Sequence, residues 1–167
     1  MIMNSFNLEY KIKTASPQSI IEHLKSCADC FNPPLYRYVE IEKYGEKIYD
    51  NAVTFESWDG QTLVGLAAVY FNNLETKAGY ITNMSVLKEY QGLGIASRLL
   101  KEVVEYGKQK SFLSIDLEVN SRNTKARELY KRYGFVVTEN KNDNIVKERM
   151  TLGDSDCRHD VSQQKSR

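Results

Sequence analysis

The sequence predicts an α/β fold, a mixed β-sheet flanked by helices. Three observations predict it. Apolar residues alternate with a period of two in some segments and recur with a helical period in others, the two kinds interleaved along the chain. Two of the connections between extended segments are hairpin-sized, which makes their strands antiparallel. A Gly-rich turn, Gln91-Gly92-Leu93-Gly94-Ile95-Ala96, joins an apolar extended segment directly to an amphipathic helix.

Each element has its own signal. Phe6, Leu8, Tyr10 and Ile12 alternate with polar residues as a half-buried strand does. Ser16-Pro17 reads as a helix N-cap followed by Pro at the first helical position, and Ile20, Ile21, Leu24 and Ala28 form that helix's apolar stripe. Asn32-Pro33-Pro34 breaks the chain. A second helix is expected near Ile41–Asn51, with Ile41, Tyr44, Ile48 and Ala52 on one face and Gly45 weakening it. Ala52–Trp58 and Thr62–Phe71 flank Asp59-Gly60-Gln61, a hairpin signal. Tyr80–Val86 is the next strand, and Leu99, Leu100, Val103, Val104 and Tyr106 mark the helix after the Gly-rich turn. Leu113–Val119 is a further central strand. A short helix from about Asn123 to Tyr133 is stopped by Gly134, and Val136–Glu139 with Ile145–Leu152 close the domain as a hairpin. Residues 1–152 thus form one expected domain, and the polar, aperiodic stretch 153–167 is expected to be a disordered tail.

Composition narrows the function classes. With 23 Lys+Arg against 22 Asp+Glu the net charge is +1, so no global field draws nucleic acid or an anionic membrane. No apolar run approaches a bilayer span, and Met1–Ser5 lacks the layout of a secretory signal. An odd count of 3 cysteines argues against a disulfide framework, and a cytoplasmic protein is expected. Cys27-Ala28-Asp29-Cys30 has redox-motif spacing, but it ends a helix instead of following a strand. The remaining zinc-type ligands, His23, Cys157 and His159, are scattered, so no metal site is expected and the cysteines read as structural.

The Gly-rich turn carries the first functional signal. A strand–turn–helix junction of this kind presents unpaired N–H groups at the positive end of a helix dipole, a site for a phosphate or diphosphate. It is neither a dinucleotide fingerprint, for want of a third Gly after Gly94, nor a Walker loop, for want of Gly-Lys-Ser/Thr. A tight turn without a ligand is the plain alternative. The second signal is the run from Val119 to Phe135, with its framework of Asn123, Ala126, Leu129-Tyr130 and Gly134-Phe135.

Together the two motifs resemble the GCN5-related N-acetyltransferase (GNAT) family over about residues 8–152. Gln91–Ala96 is similar to the family's Gln/Arg-x-x-Gly-x-Gly/Ala motif. The resemblance implies acetyl-CoA as cosubstrate, bound by Met84 and Val86 at the strand end, by Gln91, Gly92, Leu93, Gly94, Ile95 and Ala96, and by Asn123, Ala126 and Tyr130. It implies direct transfer of the acetyl group to a primary amine. Tyr130 would be the general acid for the leaving thiolate; its plain alternative is a core tyrosine. Asn123 reads equally as an N-cap, and Arg127 as a phosphate contact or an exposed helix residue. The strand Tyr80–Val86 lacks the carboxylate many relatives place there. Glu118 stands 12 residues before Tyr130, as the base does in the ribosomal-protein alanine N-acetyltransferase branch, and is the nominated general base. Pairing with a lysine is its alternative, and Glu56 and Asp116 are weaker candidates. An oxyanion donor is expected from a backbone N–H near Val86.

The acceptor side is expected to be set by the N-terminal helices and by loops around Asn32–Tyr38 and Phe71–Gly79. Phe31, Tyr36, Tyr38, Tyr44, Tyr49 and Trp58 are candidates for its wall or for the core. A small-molecule amine is favoured over a protein N-terminus. A noncatalytic acyl-CoA-binding module is the rival from another class, and the family's tendency to dimerise makes a homodimer a further expectation.

Overall fold

The computed structural model describes residues 5–153; the expectations for the first residues and for the tail fall outside the described residues. The order is β1 (Leu8–Ile12), α1 (Pro17–Cys27), α2 (Ile41–Asn51), β2 (Val53–Asp59), β3 (Thr62–Tyr70), β4 (Ala78–Val86), α3 (Ile95–Gln109), β5 (Ser114–Asn120), α4 (Thr124–Arg132), β6 (Val136–Asn140) and β7 (Ile145–Thr151). That is the succession read from the sequence. The strands form one seven-stranded sheet in the order β1-β2-β3-β4-β5-β7-β6. Every pairing is antiparallel except β4 with β5.

The central strand β3 explains the two layers. Its residues are buried on both faces: Ala67 and Val69 pack with Leu99, Leu100 and Val103 of α3, while Leu66 and Ala68 pack with Ile20 and Leu24 of α1 and Ile48 of α2. A continuous apolar run, not an alternating one, is what such a strand needs. α1 starts where Ser16 Oγ accepts a hydrogen bond from Ser19 N–H, with Pro17 in the first turn. Gly45, read from the sequence as a weak point in α2, has a packing reason. A Cβ there would lie 2.5 Å from Ile21 Cγ1, so its absence lets α1 and α2 approach closely.

Two buried polar groups hold the α1 layer to the sheet. Glu56 is fully buried and accepts from Thr14 N (3.0 Å), Ala15 N (2.9 Å), Thr54 Oγ1 (2.7 Å), Trp58 Nε1 (2.9 Å) and the Thr14 hydroxyl. A carboxylate so occupied anchors the chain entering α1; it is not free to take a substrate proton. His23 of α1 lies 2.8 Å from Leu63 O and 2.9 Å from Ser85 Oγ, which itself contacts the Asn83 carboxamide at 2.7 Å. Burial lowers its pKa to about 4, against the opposing pull of those hydrogen bonds. The ring is therefore neutral at pH 7. Because a carbonyl only accepts, Nδ1 carries the proton and donates to Leu63 O. The Ser85 hydroxyl donates its one proton to Asn83 Oδ1, so Nε2 stays an unprotonated acceptor beside it, with Cys27 Sγ at 3.6 Å. One turn on, burial pushes the Cys27 thiol up to about 12, an inert thiol.

His23 sets a pH dependence of stability. The unfolded chain binds a proton near pH 6.5 and the folded chain only near pH 4. Stability is therefore full above the first value and falls as pH drops toward the second. The loss is on the order of 3 kcal/mol. Denaturant midpoints of the wild type and His23→Gln, followed from neutral to mildly acidic pH, are expected to diverge in slope, with the variant the flatter. Parallel slopes would show that His23 titrates normally.

Candidate active site

The parallel pair opens partway along its length. β4 and β5 are in register from Ala78 opposite Ser114 to Ile81 opposite Leu117 and no further. Beyond that point the rest of β4 stays with β3, and Glu118–Asn120 stay with β7. The divergence has a local cause. Ile81 faces Val69 and Asn83 faces Ala68, so Thr82 is an extra residue on β4, a bulge that bends the strand away from its neighbour. Tyr44 of α2 braces the bulge, its hydroxyl 2.7 Å from Thr82 O and 2.8 Å from Thr82 Oγ1. Burial holds that hydroxyl's pKa above the ordinary tyrosine value, so it remains a donor. The result is a wedge whose β4 side, from Asn83 to Val86, takes no partner from β5. Met84 is half-buried there and Val86 is buried.

The Gly-rich turn stands at the wide end of the wedge. Gln91 Nε2 donates to Val86 O at 3.1 Å, tying the turn to the end of β4. Gly92 and Gly94 have φ of 80° and 79°, values that an L side chain rarely adopts. Gly94 is the N-cap of α3 and no side chain caps it, so the first N–H groups of a 15-residue helix are left to solvent or a ligand. Nothing lies within 4 Å of where a Cβ would stand at either glycine. Leu93 is exposed and Ile95 buried beneath the turn, with Ala96 half-buried. An anion of phosphate type fits there.

α4 brings Tyr130 to the α3 side of the sheet. Asn123 Oδ1 accepts from Ala126 N at 3.2 Å, so the N-cap reading of Asn123 holds. The Tyr130 ring packs against Phe135 at 5.6 Å between centroids and is 7% exposed. Its hydroxyl makes no hydrogen bond among the described residues. Burial, and then the nearby Glu148 carboxylate, raise its pKa well above the ordinary value and keep it protonated. Arg127 is engaged within the protein and is not a free surface residue. Its Nε donates to Glu148 Oε1 at 3.2 Å and its Nη1 to Ser121 O at 3.2 Å. Glu148, not singled out in the sequence, is buried beneath α4 with Oε2 unpartnered. Its signal is a charged residue between Val146 and Met150, at an inward position of β7.

Glu118 points the other way. Ile115, Leu117 and Val119 pack on the α3 side, so Asp116 and Glu118, alternating with them, face the α1–α2 side. Glu118 is exposed and ion-paired with Lys141 of the β6–β7 connection. Asp116 is gripped by Arg149, with Nε and Nη2 at 2.6 and 2.8 Å, and has Lys147 at 3.7 Å. The Arg149 guanidinium outweighs burial and holds its carboxyl below the usual range, which makes it a poor base. Tyr80 stands close by, pushed up to about 12 by burial and then by Glu118. Of the six aromatics considered for an acceptor wall, Trp58 is a core residue bonded to Glu56 and Tyr44 braces the bulge. Tyr36, Tyr38 and Tyr49 are exposed. Tyr130 and Glu118 thus occupy opposite faces of the sheet, with the wedge between β4 and β5 as the opening that joins the two sides.

Known proteins share this fold. The Acetyltransferase (GNAT) family model matches residues 18–135. A thialysine N-epsilon-acetyltransferase of Bos taurus is 34% identical over 77 residues, 45% of each chain. The curated relatives are matched over 60% of their own length or less. The crystal structure of the ribosomal-protein-S18-alanine N-acetyltransferase from Escherichia coli superposes with a TM-score of 0.71 at 15% identity, over 87% of this chain and 95% of that one. A paia N-acetyltransferase from Thermoplasma acidophilum, solved in complex with coenzyme A, does so with a TM-score of 0.66 at 19% identity, over 84% and 98%. No helix among the described residues is long and apolar enough to cross a membrane. With the family model matched over more than half its length, and the fold shared, this chain belongs to the GNAT acetyltransferase family.

Proposed function

We propose that this protein transfers the acetyl group of acetyl-CoA directly to the primary amine of a small molecule. The observation that carries the reading is the wedge at Thr82, open at its far end onto the uncapped N-terminus of α3. A diphosphate suits the N–H groups of Gly92–Ala96, and an amide-bearing pantetheine suits the unpaired edge of β4 as an added strand would. The thioester then lies where β4 and β5 part, reachable from both faces of the sheet. The amine nitrogen attacks the thioester carbon and its proton passes to Glu118, directly or through water. The oxyanion is met by a backbone N–H near Val86. The C–S bond breaks and the thiolate takes the Tyr130 proton, which solvent restores. Holding amine and thioester together supplies much of the acceleration.

A small acceptor is supported by how the α1–α2 side is closed. Asn120 Nδ2 donates to Asn32 O at 3.2 Å, linking the α1–α2 connection to the end of β5. The Lys141–Glu118 pair draws in the β6–β7 connection from the other side. Any acceptor amine replaces Lys141 at Glu118, but an extended peptide along this face would have to break the Asn120–Asn32 link as well, which a small amine need not do. The test is thiol release from acetyl-CoA with simple amines, polyamines, aminoglycosides and N-terminal peptides as acceptors. A small amine is expected to exceed every peptide in kcat/KM by about tenfold or more. Preference for a peptide would shift the acceptor to a protein N-terminus. Tight CoA binding with no thiol release would make this a binding module, and ping-pong kinetics would exclude direct transfer.

A further inference from the structure

The acceptor face holds a pocket of about 420 Å³ at the foot of β4 and β5, lined in part by Tyr70, Asn73, Thr76, Tyr80, Asp116 and Arg149. It lies below the point where the strands part, and its Asp116 wall stands two residues before Glu118 on the same face of β5. Three observations there lack a structural purpose. The Tyr70 hydroxyl is buried without a hydrogen-bond partner, on a side chain whose ring Lys47 covers at 5.6 Å. A buried hydroxyl left unmet is uncommon and asks for a partner. Arg149 spends only Nε and one N–H of Nη2 on Asp116 and is partly exposed, so both N–H groups of Nη1 remain to be used. Lys147 adds a second cation to the one carboxylate of Asp116, while Glu139, across from Lys147, makes no ion pair among the described residues.

We infer that this pocket is an acceptor subsite for a carboxylate, and that the acceptor is an amino acid whose reacting amine is remote from that carboxylate. The inference rests on the acetyl-transfer reading for the position of the amine at Glu118. Glu118 and Asp116 are two residues apart on one face of β5, so their Cα atoms are separated by about 6.6 Å. Arg149 stands across from Asp116 on β7, so along the strand direction an amine at Glu118 and a carboxylate on the Arg149 guanidinium are separated by on the order of this two-residue span. An α-amino acid cannot bridge it. A chain of about four methylenes can. The Tyr70 hydroxyl and the Asn73 and Thr76 side chains then supply neutral hydrogen bonds along the pocket.

The test compares three acceptors with acetyl-CoA: δ-aminovalerate, its isomer norvaline, and n-pentylamine, which lacks the carboxylate. In parallel, calorimetry measures binding of each to the CoA-saturated protein, which reads the subsite without turnover. δ-Aminovalerate is expected to bind and to react about tenfold or more better than either comparator. In Arg149→Gln that preference should shrink to about threefold or less, and Arg149→Lys should keep part of it. Tyr70→Phe, which removes only the unpartnered hydroxyl, should weaken δ-aminovalerate binding selectively. Equal binding of the three acceptors, or a preference untouched in Arg149→Gln, overturns the subsite. Intact binding preference with no thiol release from any acceptor overturns the transfer reading and leaves the subsite standing.

Discussion

Tyr130→Phe is expected to lower kcat by roughly 10- to 1000-fold with little change in the affinity for acetyl-CoA. The substitution is a clean one here. The ring packs against Phe135 in a buried setting that Phe can fill, and the lost hydroxyl leaves no orphaned partner among the described residues. Stability should therefore be retained, which separates this variant from a core defect. Burial and the Glu148 carboxylate keep the hydroxyl protonated and so able to donate, while making it a weaker acid than an exposed tyrosine. The lower end of the range applies if the CoA thiolate, from a thiol of pKa about 8.5, leaves largely unaided. The upper end applies if protonation accompanies C–S cleavage. Steady-state thiol release at saturating acetyl-CoA reads the change directly, and wild-type turnover in the variant would remove Tyr130 from the chemistry.

The contrast between Tyr130 and Arg127 marks what the sequence could tell. Both lie on α4, and the motif that singles out Tyr130 says nothing of the Glu148 carboxylate on which Arg127 lands. That contact joins α4 to β7 across the chain, and no local pattern encodes it. Glu56 shows the same limit from the other side. In the sequence it is one carboxylate among 22 acidic residues, but the pairing of β2 with β1 and the turn into α1 surround it with five donors. The elements themselves were legible because period and capping are local: Ser16, Asp59-Gly60 and Asn123 each act within a few residues. The wedge was not. It depends on one unmatched residue, Thr82, whose status as a bulge exists only relative to β3, and on Tyr44, which reaches it from 38 positions away. From the sequence Gly45 shows only its cost to α2, for the same reason: Ile21, the neighbour it makes room for, is invisible from within α2.

Glu118→Gln is the second large effect, an expected loss of about 100- to 10,000-fold in kcat near neutral pH. Elimination strengthens the choice of Glu118. Glu56 is saturated with donors, and Asp116 is held by Arg149 and faces Lys147. Among the described residues Glu118 has one ion-pair partner, Lys141, a side chain on an exposed connection, while Lys147 across from it on β7 pairs with Asp116. An acceptor amine arrives in solution mostly as its ammonium form. Taking Lys141's place, it exchanges one cation beside the carboxylate for another, so little electrostatic work is needed to seat it. On the proposed reading, once seated it gives one proton to Glu118, which passes it to solvent before attack, and a second to the freed carboxylate as the C–N bond forms. Without the carboxylate, only the fraction of amine already neutral in solution can react. Activity of the variant should therefore climb with pH about tenfold per unit toward the amine's own pKa, near 10.4 for a lysine-like amine. The wild type should level off earlier. A pH–rate profile unchanged in Glu118→Gln would mean that solvent, and not this residue, takes the proton.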